Sequence, residues 1–301
     1  MSRPSFIINC RQKGPYVYRS VAGALAQVVP CEIVVADFAS TDNSRDEIQR
    51  AIDTAPRGAE HEVRFLKSDR PTQTNMAEMN KNVDWLWRQT SPECEWIFQA
   101  SADDYSLPAR ISVCMEAVKR FPCSAIATTQ YFESPENTRR DTASGYPRET
   151  GYVKAGDGLV NLAYGSTIGG YRRDFLERVA SRTGPNTPDV YWGWLAALDA
   201  GFYAIVNPQH VHVQHANIEN TGFQGKMLAA KGDEALRVAE LNHFQLARLY
   251  MHCFGSAQEL YPGKMTQEDM NAIINVILGQ MAGWLGTREA LHKAGVTPGV
   301  L

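Results

Sequence analysis

Residues 32–44 read EIVVADFASTDNS. An apolar run rich in Ile and Val ends at a carboxylate, Asp37. A turn of small residues follows, and Asp42-Asn43-Ser44 can cap a helix running toward Ile52. Working outward, Ser5-Phe6-Ile7-Ile8-Asn9 reads as a strand. Val17 to Val28 reads as an amphipathic helix with Val21, Leu25 and Val28 on one face. Glu62 to Leu66 and Glu95 to Ala100 read as strands, with a helix from Asn75 to Arg88 between them. Pro108 opens a helix to Phe121, and Ser124 to Thr128 is a fifth strand. This alternation predicts an α/β fold with a mostly parallel central sheet flanked by helices. In such sheets ligands bind beyond the carboxyl ends of the strands. The segments Asn9-Cys10-Arg11, Asp37-Phe38-Ala39, Lys67-Ser68-Asp69 and Ser101 to Asp104 are therefore expected to converge on one edge.

The remainder is organised differently. Glu133 to Gly158 is polar and reads as a long surface excursion, a candidate loop over the site. Glu234 to Cys253 and Met270 to Leu285 read as helices, with Thr266 and Asp269 as an approximate capping box before the second. Met270, Ile273, Ile274, Ile277, Met281 and Trp284 fall on one stripe, for which packing onto the main domain is the simpler reading. The expected division is a catalytic domain over 1–222 and a C-terminal helical extension over 223–301, whose helices offer a surface for homo-oligomer formation.

Composition excludes several classes. The 301 residues carry a formal net charge of −3, with 44% apolar and 21% charged residues. That balance gives no general attraction to nucleic acid or anionic membrane. No apolar run approaches a membrane span. Met1-Ser2-Arg3-Pro4-Ser5 lacks the features of a signal peptide, so a cytoplasmic location is expected. The six cysteines are scattered, with neither CxxC pairing nor zinc spacing.

Four segments carry candidate chemistry. Asp37 could accept a hydrogen bond from a base N–H, though an acidic strand end also makes turns. In QASADDYSLP, residues 99–108, Asp103 and Asp104 end a strand together, and two such carboxylates repel unless a cation joins them. Mg²⁺ or Mn²⁺ would suit those oxygens and a substrate diphosphate. In PDVYWGWLAALDAG, residues 188–201, Asp189 is either a helix cap or a general base. His210 and His212 share one face of a strand, with His215 beyond them. Ordinary strand residues are the favoured reading for the first two.

Taken in order, SFIINC, ALAQVVP, EIVVADFASTDNS, ASADDYSLP, STIGGYRRDFLERV, PDVYWGWLAALDAG and VQHANIENTG resemble the family 2 glycosyltransferases of the GT-A (Rossmann-like) fold. The resemblance spans about Ser5 to Gly222. It implies a metal-dependent, inverting transfer of a sugar from a nucleotide-diphosphate donor, a UDP-sugar in particular, to a hydroxyl acceptor. The acceptor could be a glycan, a small molecule, a protein or a modified nucleic acid. By position, the resemblance assigns Asn9, Cys10, Arg11, Asp37 and Asp103 to the nucleotide, and Gly169, Gly170 and Trp192 to the sugar or acceptor. It assigns Asp103, Asp104 and His215 to a divalent metal (Mn²⁺ or Mg²⁺), and Asp189 to catalysis as the base. The chain departs from the family at Asn9 to Gln12, which lack the usual proline and tyrosine, and at Ser101, where many members carry aspartate. A sugar-phosphate nucleotidyltransferase would show a glycine-rich loop where NCRQKGP stands. A non-catalytic nucleotide-binding module of the same fold is the other alternative.

Overall fold

A computed structural model describes residues 3–69, 76–134, 137–142, 149–153, 169–182, 188–213 and 232–295. Its contacts divide the chain into two units. One comprises Met1–Glu133 with Asn137–Val213, the other Ser134–Glu136 with Gln214–Leu301. The boundary expected at 222 falls outside the described residues.

The first unit is built on one mixed sheet. Strands β1 (Ser5–Cys10), β2 (Glu32–Phe38), β3 (Glu62–Ser68) and β4 (Trp96–Ser101) are parallel neighbours in the order β3-β2-β1-β4. The sheet continues through β9 (Gly169–Arg172), β6 (Ala125–Ser134) and β10 (Phe202–Val213) to β5 (Tyr105–Ser106). Strand β9 runs antiparallel to both β4 and β6, while β6 and β10 are parallel.

Successive side chains of a strand point to opposite faces. Phe6, Ile8, Ile33 and Val35 therefore share a buried cluster with Val17, Val21 and Leu25 of helix α1 (Gly14–Leu25) and Ile48 of α2 (Ser44–Thr54). On the other face Phe38 meets Trp85 of α3 (Met76–Arg88) edge-on, with ring centroids 5.8 Å apart. Helix α4 (Arg110–Val118) contributes Ile111 and Cys114 to the first cluster.

The excursion expected from 133 onward contains strands. β6 extends to Ser134, β7 (Asn137–Thr142) pairs with it, and β8 (Gly151–Val153) pairs antiparallel with β10. After β9 come α5 (Arg173–Val179) and α6 (Pro188–Leu198).

In the second unit α7 (Asp233–Leu260) packs along α8 (Gln267–Lys293). The capping box is present: Thr266 Oγ1 accepts from Asp269 N at 3.1 Å, and Asp269 Oδ2 accepts from Thr266 N at 3.0 Å. The expected apolar stripe divides. Ile273 is buried, but Ile274 and Met281 are exposed, because a strip that wide exceeds what one partner helix covers. Among the described residues no helix is long and apolar enough to cross a membrane.

Candidate active site

The carboxyl ends of the parallel strands align. Cys10 is in register with Asp37, Asp37 with Lys67, and Asn9 with Ser101. The segments expected to converge thus leave the sheet at one edge.

The loops after β1 and β2 are bound to one another. Gln12 and Ala39 have φ of 51° and 52°, a conformation uncommon for residues with a Cβ and one held only by surrounding contacts. Gln12 supplies those contacts. Its N–H donates to Ser40 Oγ at 2.9 Å, and its Oε1 accepts from Thr41 N at 2.9 Å and Asp42 N at 3.2 Å. Asp42 takes Gly14 N at 2.9 Å and Ser44 N at 3.0 Å, so one carboxylate starts both α1 and α2. Burial pushes this carboxyl up, but the donors Ser44 and Gly14 outweigh it and hold it below its ordinary value. The cap expected for α2 alone is therefore a bridge between two loops.

Asp37 is fully buried at the end of β2. Its Oδ2 accepts from Arg45 Nε at 2.6 Å and Ser40 N at 3.2 Å. Its Oδ1 is buried and has no hydrogen-bond partner among the described residues. A buried carboxylate oxygen left unmatched is costly, and such an atom at a sheet edge points to a donor supplied by a ligand. Asn9 is half-buried beside it, Cys10 is buried with its thiol pushed up to about 12 by burial, and Arg11 is half-buried.

Adjacent in sequence, Asp103 and Asp104 have opposite environments. Asp103 remains partly open, and its Oδ2 lies 2.6 Å from the Lys13 ammonium. Asp104 is buried. Its Oδ1 accepts from Val213 N at 3.0 Å and lies 3.1 Å from His212 Nδ1, and its Oδ2 lies 3.4 Å from His210 Nε2. Burial pushes the Asp104 carboxyl up, but its contacts with His210 and His212 outweigh burial and hold it well below the usual carboxylate range. Burial dominates at His210 and lowers its imidazole, whereas Asp104 outweighs burial at His212 and raises it. Both oxygens of Asp104 thus face β10. The more open Asp103, now paired with an ammonium, offers a carboxylate that a hard cation could reach. Among the described residues no three His, Cys, Asp or Glu side chains are grouped to hold a metal. One carboxylate with substrate phosphates and waters nonetheless fits the habits of Mg²⁺ and Mn²⁺. His215 lies outside the described residues.

Gly169 and Gly170 are buried in β9. A Cβ at Gly170 would stand 2.4 Å from the Phe98 ring, so the space is taken by the core. The Gly169 carbonyl accepts from Arg110 at 3.2 Å. Arg110 is wholly buried, its guanidinium pushed down to about 10 by burial, and it also donates to Ser106 Oγ and the Gln99 carbonyl. It thereby joins β4, β5 and β9, a role the sequence did not announce. Trp192 is buried, and its ring meets Tyr171 edge-on at 5.4 Å. Asp189 is the second residue of α6, and its side chain lies outside the described residues.

The profile of glycosyl transferase family 2 matches residues 5–180, more than half of the chain. The chain belongs to that family. No curated protein matches it. Among solved structures, the S. aureus TarS fragment 1-349 in complex with UDP-GlcNAc is 14% identical, with a TM-score of 0.56. That match covers 98% of this chain and 92% of the other. The mannosyltransferase PcManGT from Pyrobaculum calidifontis, in complex with GDP-Man and Mn²⁺, is 15% identical, with a TM-score of 0.57. It covers 99% of this chain and 76% of that one. At such identities the likeness establishes the fold. The expected GT-A architecture is borne out, and this family 2 member is a glycosyltransferase.

Proposed function

We propose that the chain transfers a sugar from a nucleotide-diphosphate donor, a UDP-sugar in particular, to a hydroxyl acceptor with inversion at the anomeric carbon. The observation that carries the donor reading is the unmatched Asp37 Oδ1 at the edge where Asn9, Cys10 and Asp103 also lie. Uracil presents one imide N–H, which such an oxygen would accept. The solved relative bound to UDP-GlcNAc supports that choice, and the one bound to GDP-Man keeps a guanine nucleotide as the comparison to test.

Asp37, held by Arg45 and Ser40, orients the base. The half-buried Asn9 and Arg11 flank the nucleotide. Asp103 would hold a divalent cation, which supplies positive charge against the departing diphosphate. Asp104 is a positioning residue: through His210, His212 and Val213 N it fixes the turn that carries Asp103. Asp189 takes the proton from the acceptor hydroxyl as that oxygen forms its bond to the anomeric carbon and the bond to the diphosphate breaks.

Incubation with a panel of nucleotide sugars and Mn²⁺, read as nucleoside diphosphate released, tests the proposal. Release from a UDP-sugar is expected, with Asp189→Asn losing transfer while keeping donor binding. Release from no nucleotide sugar, or pyrophosphate released from a nucleoside triphosphate with a sugar phosphate, would overturn it.

A further inference from the structure

Gln99 on β4 is 6% exposed, and its Oε1 is buried with no hydrogen-bond partner among the described residues. Only its backbone is engaged, the carbonyl accepting from Arg110 at 2.9 Å. Two strands away on β6, Thr129 Oγ1 is in the same condition. Such groups are costly in a fold unless a ligand completes them. Both belong to one face of the sheet. Phe98 and Ile126 lie in the buried cluster with α1 and α4, so Gln99 and Thr129, at odd spacing from them, project to the other side. Strand β9 runs between the two. The register that pairs Phe98 with Gly170 sets Gly169 beside Gln99, and Gly169 pairs in turn with Ala127. A residue without a side chain and one with only a methyl group leave room next to the Gln99 amide. Tyr171 points to this same face and meets Trp192 of α6, the helix whose first turn carries Asp189.

We infer that Gln99 and Thr129 hold hydroxyl or acetamido groups of the donor's sugar and restrict the enzyme to uncharged sugars. The inference rests on the nucleotide reading proposed above and extends it. Across the sheet the order is β2, β1, β4, β9, β6. A donor whose base meets Asp37 at the end of β2 and whose diphosphate lies near Asp103 beyond β4 carries its sugar onward to β9 and β6. An amide and a hydroxyl both donate and accept, as a sugar hydroxyl requires. Neither brings a charge, so neither balances the carboxylate of a uronic acid, which is costly to desolvate unpaired.

Calorimetric titration of UDP, UDP-glucose, UDP-N-acetylglucosamine and UDP-glucuronate, in Mn²⁺, tests this. A neutral UDP-sugar is expected to bind more tightly than UDP, and UDP-glucuronate more weakly than that sugar. Gln99→Met keeps the side-chain length and removes the amide. It should leave UDP affinity unchanged and weaken the preferred UDP-sugar about fivefold, the loss of a neutral hydrogen bond. Its urea midpoint should match or exceed that of the unaltered chain, because an unmatched buried amide has been replaced by an apolar group. Thr129→Val should act in the same direction. Tightest binding of UDP-glucuronate overturns the inference. So does a neutral sugar that adds nothing to UDP, or a gain over UDP that survives both substitutions. A lower urea midpoint with equal losses for UDP and UDP-sugar in Gln99→Met would make Gln99 a structural residue. UDP failing to bind the unaltered chain would instead refute the donor reading, and this inference with it.

Discussion

The Lys13 ammonium and Asp103 Oδ2 are 2.6 Å apart, joining residues ninety positions apart at the rim of the sheet. If Asp103 holds a divalent cation as proposed, Lys13 competes with it for that carboxylate. Both side chains are partly open, so the pair is worth about 0.5–1 kcal/mol. Lys13→Met should tighten Mn²⁺ binding roughly two- to fivefold. Electron paramagnetic resonance of free Mn²⁺ measures this, and weaker binding in the variant would show that Lys13 aids the cation.

Asp103→Asn and Asp104→Asn should differ in kind. The first should weaken Mn²⁺ binding and leave the urea midpoint unchanged. The second removes the charge that faces His210 and His212 inside the protein, which should cost roughly 3 kcal/mol of stability. If Asp104→Asn lost metal binding at full stability, the division of roles drawn between the two neighbours would be wrong.

Gly170→Ala would push a methyl group into Phe98. Overpacking of this kind costs about 1–3 kcal/mol. The urea midpoint should fall, and Phe98→Leu in the same chain should recover part of the loss. A donor-binding defect at unchanged stability would instead put Gly170 at the sugar.

Glu32 is buried, accepts from Ser5 Oγ at 2.6 Å and Ser91 N at 2.9 Å, and pairs with Arg64 at 2.5 Å. Burial pushes its carboxyl up, but these partners outweigh burial and lower it from 4.5. Because the folded value is the lower one, its stabilisation is full above the ordinary glutamate range and fades as pH falls through the folded value. Glu32→Gln should cost roughly 3 kcal/mol at neutral pH, and urea unfolding should show that difference shrinking in acid. A constant difference across pH would mean that Glu32 does not titrate with folding.

The first half of the fold was legible because β1, β2 and β4 are buried on both faces and so read as apolar runs between helical patterns, while β3, the half-exposed edge strand, still carries Val63, Phe65 and Leu66. β7, with the sequence NTRRDT, carries no such signal and becomes a strand by pairing with β6. In β10, Pro208 falls within a shift of register between Ile205 and His210, which obscures its alternation. The carboxylates of the site were legible as strand ends. Their partners were not, because Asp104 meets histidines more than a hundred positions later and local spacing carries no trace of such contacts.

The most direct test of a nucleotide site at this sheet edge is calorimetric titration of UDP, in Mn²⁺, into the unaltered chain and into Asp37→Ala. UDP should bind the unaltered chain more tightly than GDP, and removing the Asp37 carboxylate should weaken it at least about tenfold, the loss expected for a hydrogen bond to a charged group. Equal UDP affinity in the two proteins, or no UDP binding to either, would contradict the account.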